Sequence, residues 1–114
     1  MAKAAENKEI INSLHDVILS KSRGEALYEA IMEIKTQKEC EAFLTDLCTP
    51  AEIEALKERF LIARLLDAGN ISYRDISART GASTTTIGRV ARFLQQEKHE
   101  GYRVVLDRLK RKGK

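Results

Sequence analysis

Thr84, Thr85 and Thr86, followed by Arg89 and Arg92, set short hydroxyls and guanidinium groups close together along a few turns of chain. Hydroxyls of that length can approach base edges or phosphate oxygens, and arginine can pair with phosphate or with guanine. Such chemistry needs a rigid element that presents these groups on an exposed face. The neighbouring residues specify one: Ile87, Val90, Ala91 and Leu94 fall at the i, i+3, i+4, i+7 spacing of a buried helical stripe. Thr84, Thr85, Gly88, Arg89, Arg92 and Gln95 are left for the other faces.

The residues just upstream explain how that helix would be held. Ser72 with Asp75 three positions later has the form of a capping box, in which side-chain oxygens satisfy the orphan amides of a first helical turn. Ile76 is the apolar contact of the helix so begun, while Ser77 and Ala78 are small enough for a second helix to cross closely. Gly81 stands where the chain must turn sharply, at a positive φ that glycine adopts without a Cβ penalty. Ser83 or Thr84 can cap the helix that follows. Residues 72–94 therefore read as a helix-turn-helix, a unit that lays its second helix in the DNA major groove. A plain helical hairpin with solvated arginines is the simpler alternative; agreement in register between cap, glycine and stripe favours the DNA-reading unit.

Charge is distributed in keeping with that reading. The net charge of the 114 residues is only +3, but residues 1–69 hold 9 Lys/Arg against 13 Asp/Glu, and residues 70–114 hold 11 against 4. The basic half contains the motif and predicts salt-sensitive binding to double-stranded DNA. Other chemistries lack their residues: there is no glycine-rich phosphate loop and no Ser/His/Asp or Cys/His set, so no enzymatic activity and no cofactor are expected. Cys40 and Cys48 lack CxxC or histidine spacing and read as reduced core residues rather than metal ligands. His15 and His99 have no ligand-like neighbours and read as surface or interface histidines. The first ten residues are too polar for a signal peptide, and no apolar run approaches the ~20 residues of a membrane span, so no membrane association and a cytoplasmic location are expected.

With aromatic content of 5%, aliphatic helix packing must supply most burial, and strands are not expected. Residues 2–20 carry Ile10, Ile11, Leu14, Val17 and Ile18 as one stripe, and residues 25–35 carry Leu27, Tyr28, Ile31, Met32 and Ile34. Thr36 with Glu39 opens a third helix that runs to about Cys48. Thr49-Pro50-Ala51-Glu52 joins a capping hydroxyl, a proline at the first helical position and a glutamate at the third, which starts a long central helix over residues 50–68, ended by Gly69-Asn70. Gly101 marks a break before a short last helix with Tyr102, Val104, Val105, Leu106 and Leu109, and residues 110–114 form a basic tail expected to be disordered. The expectation is a single all-α domain of six helices over residues 1–114, with residues 1–48 as N-terminal dimerisation helices of a homodimer.

The run from Phe43 through Thr49-Pro50-Ala51-Glu52-Ile53 to Leu56, the helix through Ala68-Gly69, Ser72-Tyr73-Arg74-Asp75-Ile76, Gly81-Ala82 and Thr86-Ile87-Gly88-Arg89 together resemble the tryptophan repressor family. The ending around Gly101-Tyr102-Arg103-Val104-Val105-Leu106 is similar to the YerC/YecD branch of it. The resemblance implies an intertwined, all-helical homodimer that represses transcription from a palindromic operator. By matching position it implies DNA contacts from Tyr73, Arg74, Thr84, Thr85 and Gly88, to which Arg79 and Arg92 are added on charge alone. It also implies an effector pocket between central and recognition helices with Thr49, Arg59 and Arg89 as its polar groups. Two residues depart from the family pattern. Val90 stands where the pattern has a glycine that makes room for indole, and Phe93 replaces a serine. The departure predicts a repressor that does not respond to tryptophan, with repression gated by tryptophan or another small molecule as the alternative. The arginine pair could equally be retained through Asp46, Glu52 or Glu58. A helical protein-docking module without specific DNA binding is the reading from another functional class.

Overall fold

The computed structural model describes residues 12–113. Its helices are α1 over residues 12–20, α2 (Arg23–Met32), α3 (Gln37–Leu47), α4 (Pro50–Ala68), α5 (Tyr73–Thr80), α6 (Thr84–Gln95) and α7 (Gly101–Arg111). No strand occurs among the described residues, as the composition predicts. The helices among the described residues number seven rather than six: three before the central helix, the central helix, the two halves of the motif and the last one. The part of the first expected helix within residues 2–11, and Lys114, lie outside the described residues.

Side-chain capping accounts for the starts of α2 to α6. At α4 both halves of the capping box form: the Glu52 amide donates to Thr49 Oγ1 at 3.1 Å, and the Thr49 amide donates to Glu52 Oε1 at 2.8 Å. These bonds from Thr49 hold the Glu52 carboxyl below its ordinary pKa. At α3 the Glu39 amide donates to Thr36 Oγ1, but the Glu39 carboxylate takes the amide of Lys35 instead of that of Thr36. α2 starts at Arg23, ahead of the expected residue 25, because the Ser22 hydroxyl accepts from the Glu25 amide, and it ends at Met32 rather than Lys35. α5 is capped by Ser72 Oγ, which accepts from the Asp75 amide at 3.0 Å.

Two further boundaries differ from expectation. The break before α7 is a left-handed Glu100, φ 59°, and Gly101 is already the first helical residue. α7 also runs through Arg111, so the basic tail does not begin as a disordered segment at residue 110: Lys110 is helical and its Nζ lies 2.7 Å from Asp67 Oδ2.

The chain divides into two compact units after Phe43. In the first, Leu14, Val17 and Ile18 of α1 and Leu27, Tyr28, Ile31 and Met32 of α2 are all exposed, and α2 buries no residue. Cys40 and Cys48 are half-buried free thiols. The second unit contains the core, built from Ile62 and Ala63 of α4, Ile76 of α5, Ala82 of the turn, Ile87 and Val90 of α6 and Leu106 of α7. Ala63 offers only a methyl in the middle of α4, which lets a crossing helix approach its backbone closely.

The turn of the motif is fixed by side chains as well as by glycine. Gly81 adopts φ 80°, ψ 0°, and its amide donates to the Ser77 carbonyl at 2.9 Å. Ser77 Oγ donates to the Ala82 carbonyl, and Thr80 Oγ1 donates to the Ile76 carbonyl while accepting from the Ala82 amide. Ser83 Oγ then accepts from the Thr86 amide and starts α6.

α7 is fastened to α4 by charge. Arg103 Nη1 lies 2.8 Å from Asp67 Oδ1, Lys110 takes Oδ2, and Arg103 also reaches Asp107 within α7. The Asp67 side chain is 9% exposed, and its two cationic donors pull its pKa from 3.8 to about 2.

Gly81→Ala should cost about 1–2 kcal/mol, read as a lower thermal midpoint, because a Cβ there meets nothing within 4 Å and the penalty is conformational alone. Asp67→Asn should cost about 1–3 kcal/mol in denaturant titration, since Arg103 and Lys110 lose a charged acceptor. The sign of the pH effect follows from a folded pKa below the unfolded value. The Asp67 contribution is complete above about pH 4, falls as the pH drops toward about 2, and that fall should be missing in Asp67→Asn.

Candidate nucleic-acid interface and adjoining crevice

Burial of Ile87, Val90 and Ala91 orients α6, and the helical period then places Thr85, Gly88 and Arg92 along a line on its opposite side. Thr84, Thr85, Arg89 and Arg92 are exposed, and Gly88 is half-buried. A Cβ added at Gly88 would meet nothing within 4 Å, so packing within the chain does not require a glycine there. What the missing side chain leaves is bare helix backbone open to close approach from outside. No acidic residue occupies the first turn of α6, where backbone amides point outward and favour an anion. Tyr73 and Arg74 are exposed at the start of α5, and Arg79 is exposed in its last turn.

Ion pairing sorts the basic residues of this half. Arg103 and Lys110 are engaged by Asp67 and Asp107, and Arg92 by Glu97, with Arg92 Nη2 2.8 Å from Glu97 Oε1. Arg74, Arg79 and Arg89 have no carboxylate within salt-bridge distance among the described residues. The two motif helices thus carry three guanidiniums free of carboxylates among the described residues, together with exposed threonines and a bare glycine, while Arg92 comes with a partner of its own.

Beside this face lies a crevice of about 380 Å³ lined by Arg59 of α4, by Arg89, Val90 and Phe93 of α6, and by His99, Gly101 and Tyr102. Arg59, Arg89 and Val90, named above from the family resemblance, thus line one crevice. Thr49 is not part of the lining; its hydroxyl and amide are both used in the α4 capping box. Val90 is 1% exposed, with its methyls in the core that joins α4 to α6. Phe93 carries the Arg89 guanidinium 4.7 Å above its ring centroid and stacks with the His99 ring at 6.1 Å and 18°. Neither Arg59 nor Arg89 pairs with Asp46, Glu52, Glu58 or any other carboxylate among the described residues.

Sequence reasoning missed His99, Gly101 and Tyr102 as crevice residues, since nothing in periodicity shows how the segment after α6 folds back on it. The Arg103 and Asp107 pair had a signal in its i, i+4 spacing. Asp67 had none, because both of its partners lie in another helix.

The family described as Trp repressor protein matches residues 22–110 of this chain. The uncharacterized protein YerC of Bacillus subtilis (strain 168) is 42% identical over 95 residues, which span 81% of this chain and 89% of that one. A TrpR-like protein from Eubacterium eligens ATCC 27750 superposes with a TM-score of 0.70 at 41% identity, covering 78% of this chain and 91% of that chain. A candidate Trp repressor from Staphylococcus aureus superposes with a TM-score of 0.71 at 34% identity, covering 82% and 93%. With the helix-turn-helix and the two-arginine crevice in place, this chain belongs to the Trp repressor family, in its YerC-like branch.

Proposed function

We propose that this protein is a sequence-specific DNA-binding transcriptional regulator, a repressor that binds a palindromic operator as a homodimer and does so without L-tryptophan. The observation that carries the reading is the helix-turn-helix itself: Arg74 and Arg79 of α5 and Thr84 and Thr85 of α6 are exposed, neither arginine has a carboxylate within salt-bridge distance among the described residues, and the left-handed Gly81 turn joins the two helices. In this reading the N-terminal turn of α6 enters the major groove. Thr84 and Thr85 reach base edges or phosphates, and the bare backbone at Gly88 lets a DNA strand approach. Tyr73 and Arg74 of α5, with Arg79, contact the phosphate backbone and set the register. Arg92 belongs to the same face.

The exposed apolar residues of α1 and α2 support the dimer, because a single chain leaves them in water. Two-fold symmetry would present two recognition helices to half-sites one DNA turn apart, ~34–36 Å. Independence from tryptophan is supported by Val90, whose buried methyls take up volume at the crevice wall, and by Phe93 stacked under Arg89. The unpaired Arg59 and Arg89 leave room for a different, anionic effector as the alternative.

Gly88→Ala provides a test in which stability and function separate. The helix should gain up to about 1 kcal/mol because the added methyl is unobstructed, while affinity for DNA sites selected from a random pool falls about tenfold or more. Arg74→Ala combined with Thr85→Ala should abolish site preference in the same assay without moving the thermal midpoint, whereas a protein-docking module would bind its partner unchanged. Ile18 is 68% exposed, so Ile18→Glu should leave an isolated chain as stable as before. Sedimentation should nevertheless report a shift from dimer to monomer; an unshifted dimer would place the interface elsewhere.

A further inference from the structure

We propose that Glu97 acts as an internal stand-in for DNA phosphate, masking Arg92 on the recognition helix so that only closely seated DNA recruits it. The inference rests on the DNA-binding reading above. Arg92 shares the outward line of α6 with Thr85 and Gly88, and its side chain is 64% exposed. Its Nε donates to Glu97 Oε1 at 2.8 Å and its Nη2 lies 2.8 Å from the same oxygen, a charge-assisted contact of the kind a phosphate oxygen would make.

Glu97 is held in place for this contact. The amides of Gln96 and Glu97 both donate to the Arg92 carbonyl, at 2.9 and 3.0 Å, closing the turn after α6 around the same residue. The Glu97 side chain is 27% exposed, far less than that of its partner. The Arg92 guanidinium lies 5.9 Å from the Phe93 ring centroid, and that ring is fixed in turn by Arg89 and His99. The acid is therefore anchored, while the cation lies open to a competitor.

An ion pair with a partner this exposed is weak in water. A phosphate group, with more charge and several acceptor oxygens, can displace the carboxylate once α6 is close enough. Loosely held, non-specific DNA does not bring a phosphate that near. Glu97 is thus a specificity-determining residue: it removes one cation per subunit from non-specific binding and returns it in the seated complex.

The test is the salt dependence of binding to a short mixed-sequence duplex. Glu97→Gln should tighten that binding on the order of threefold to tenfold at low salt and steepen the slope of log K against log salt by ~0.9 per bound subunit. The gain should vanish in the Arg92→Ala background. Glu97→Asp, which keeps the charge but withdraws the oxygen, should show part of the same gain and serves if the glutamine variant is unstable. Unchanged affinity and slope, or a gain that persists with Arg92→Ala, would overturn the proposal. A fall in thermal midpoint shared by both single variants, without any change in slope, would overturn it too by making the pair purely structural. Failure of the wild-type protein to bind DNA better than Arg74→Ala/Thr85→Ala would overturn the DNA-binding reading itself, and this inference with it.

Discussion

The seam between α4 and α6, where Ile62 and Ala63 meet Ile87 and Val90, is the contact on which the rest of this unit depends. It fixes the rotation of α6 about its own axis, since a stripe at i, i+3 and i+4 can face the core in only one way. Once that side is buried, the threonines, Gly88 and Arg92 must face outward. The left-handed Gly81 and the hydroxyl bonds of Ser77 and Thr80 fix the angle at which α5 leaves α6. Val90 belongs both to the seam and to the crevice wall, which ties the shape of the crevice to the packing that orients α6.

Charge is divided between two tasks. Asp67 and Asp107 neutralise Arg103 and Lys110 and hold α7 against α4, while Glu97 holds Arg92 at the end of α6. Three of the four acids in residues 70–114, Asp75, Glu97 and Glu100 apart from Asp107, lie in or near the motif, yet among these three the only one paired with an arginine is Glu97. Arg74, Arg79 and Arg89 keep their full charge toward solvent. Setting the internally paired cations aside leaves Arg74, Arg79 and Arg89 on the two motif helices, with Lys98, Arg108, Arg111 and Lys112 unpaired beyond them among the described residues.

The sequence shows best what is decided within one turn of chain. Thr49-Pro50-Ala51-Glu52 sets the start of α4, Gly69 its end, and Ser72, Gly81 and Ser83 mark both motif helices, because caps and left-handed turns depend on near neighbours. Boundaries slip where a competing local cap exists, as Ser22 shows at α2, or where a residue other than glycine takes the positive φ, as Glu100 does before α7. What depends on distant partners is hidden. Lys110 reads as part of a loose basic tail until Asp67 is placed beside it. Arg92, chosen on charge alone, gives no hint in sequence that Glu97 engages it.

The central claim is that the geometry set by the α4–α6 seam reads DNA without a tryptophan ligand. The most direct measurement is selection of bound sequences from random duplex DNA by the full chain, run in parallel with and without L-tryptophan. The account predicts enrichment of the same two-fold symmetric site in both, with half-sites about one helical turn apart. Absence of any enriched site, or an enriched site found only with L-tryptophan, would contradict it.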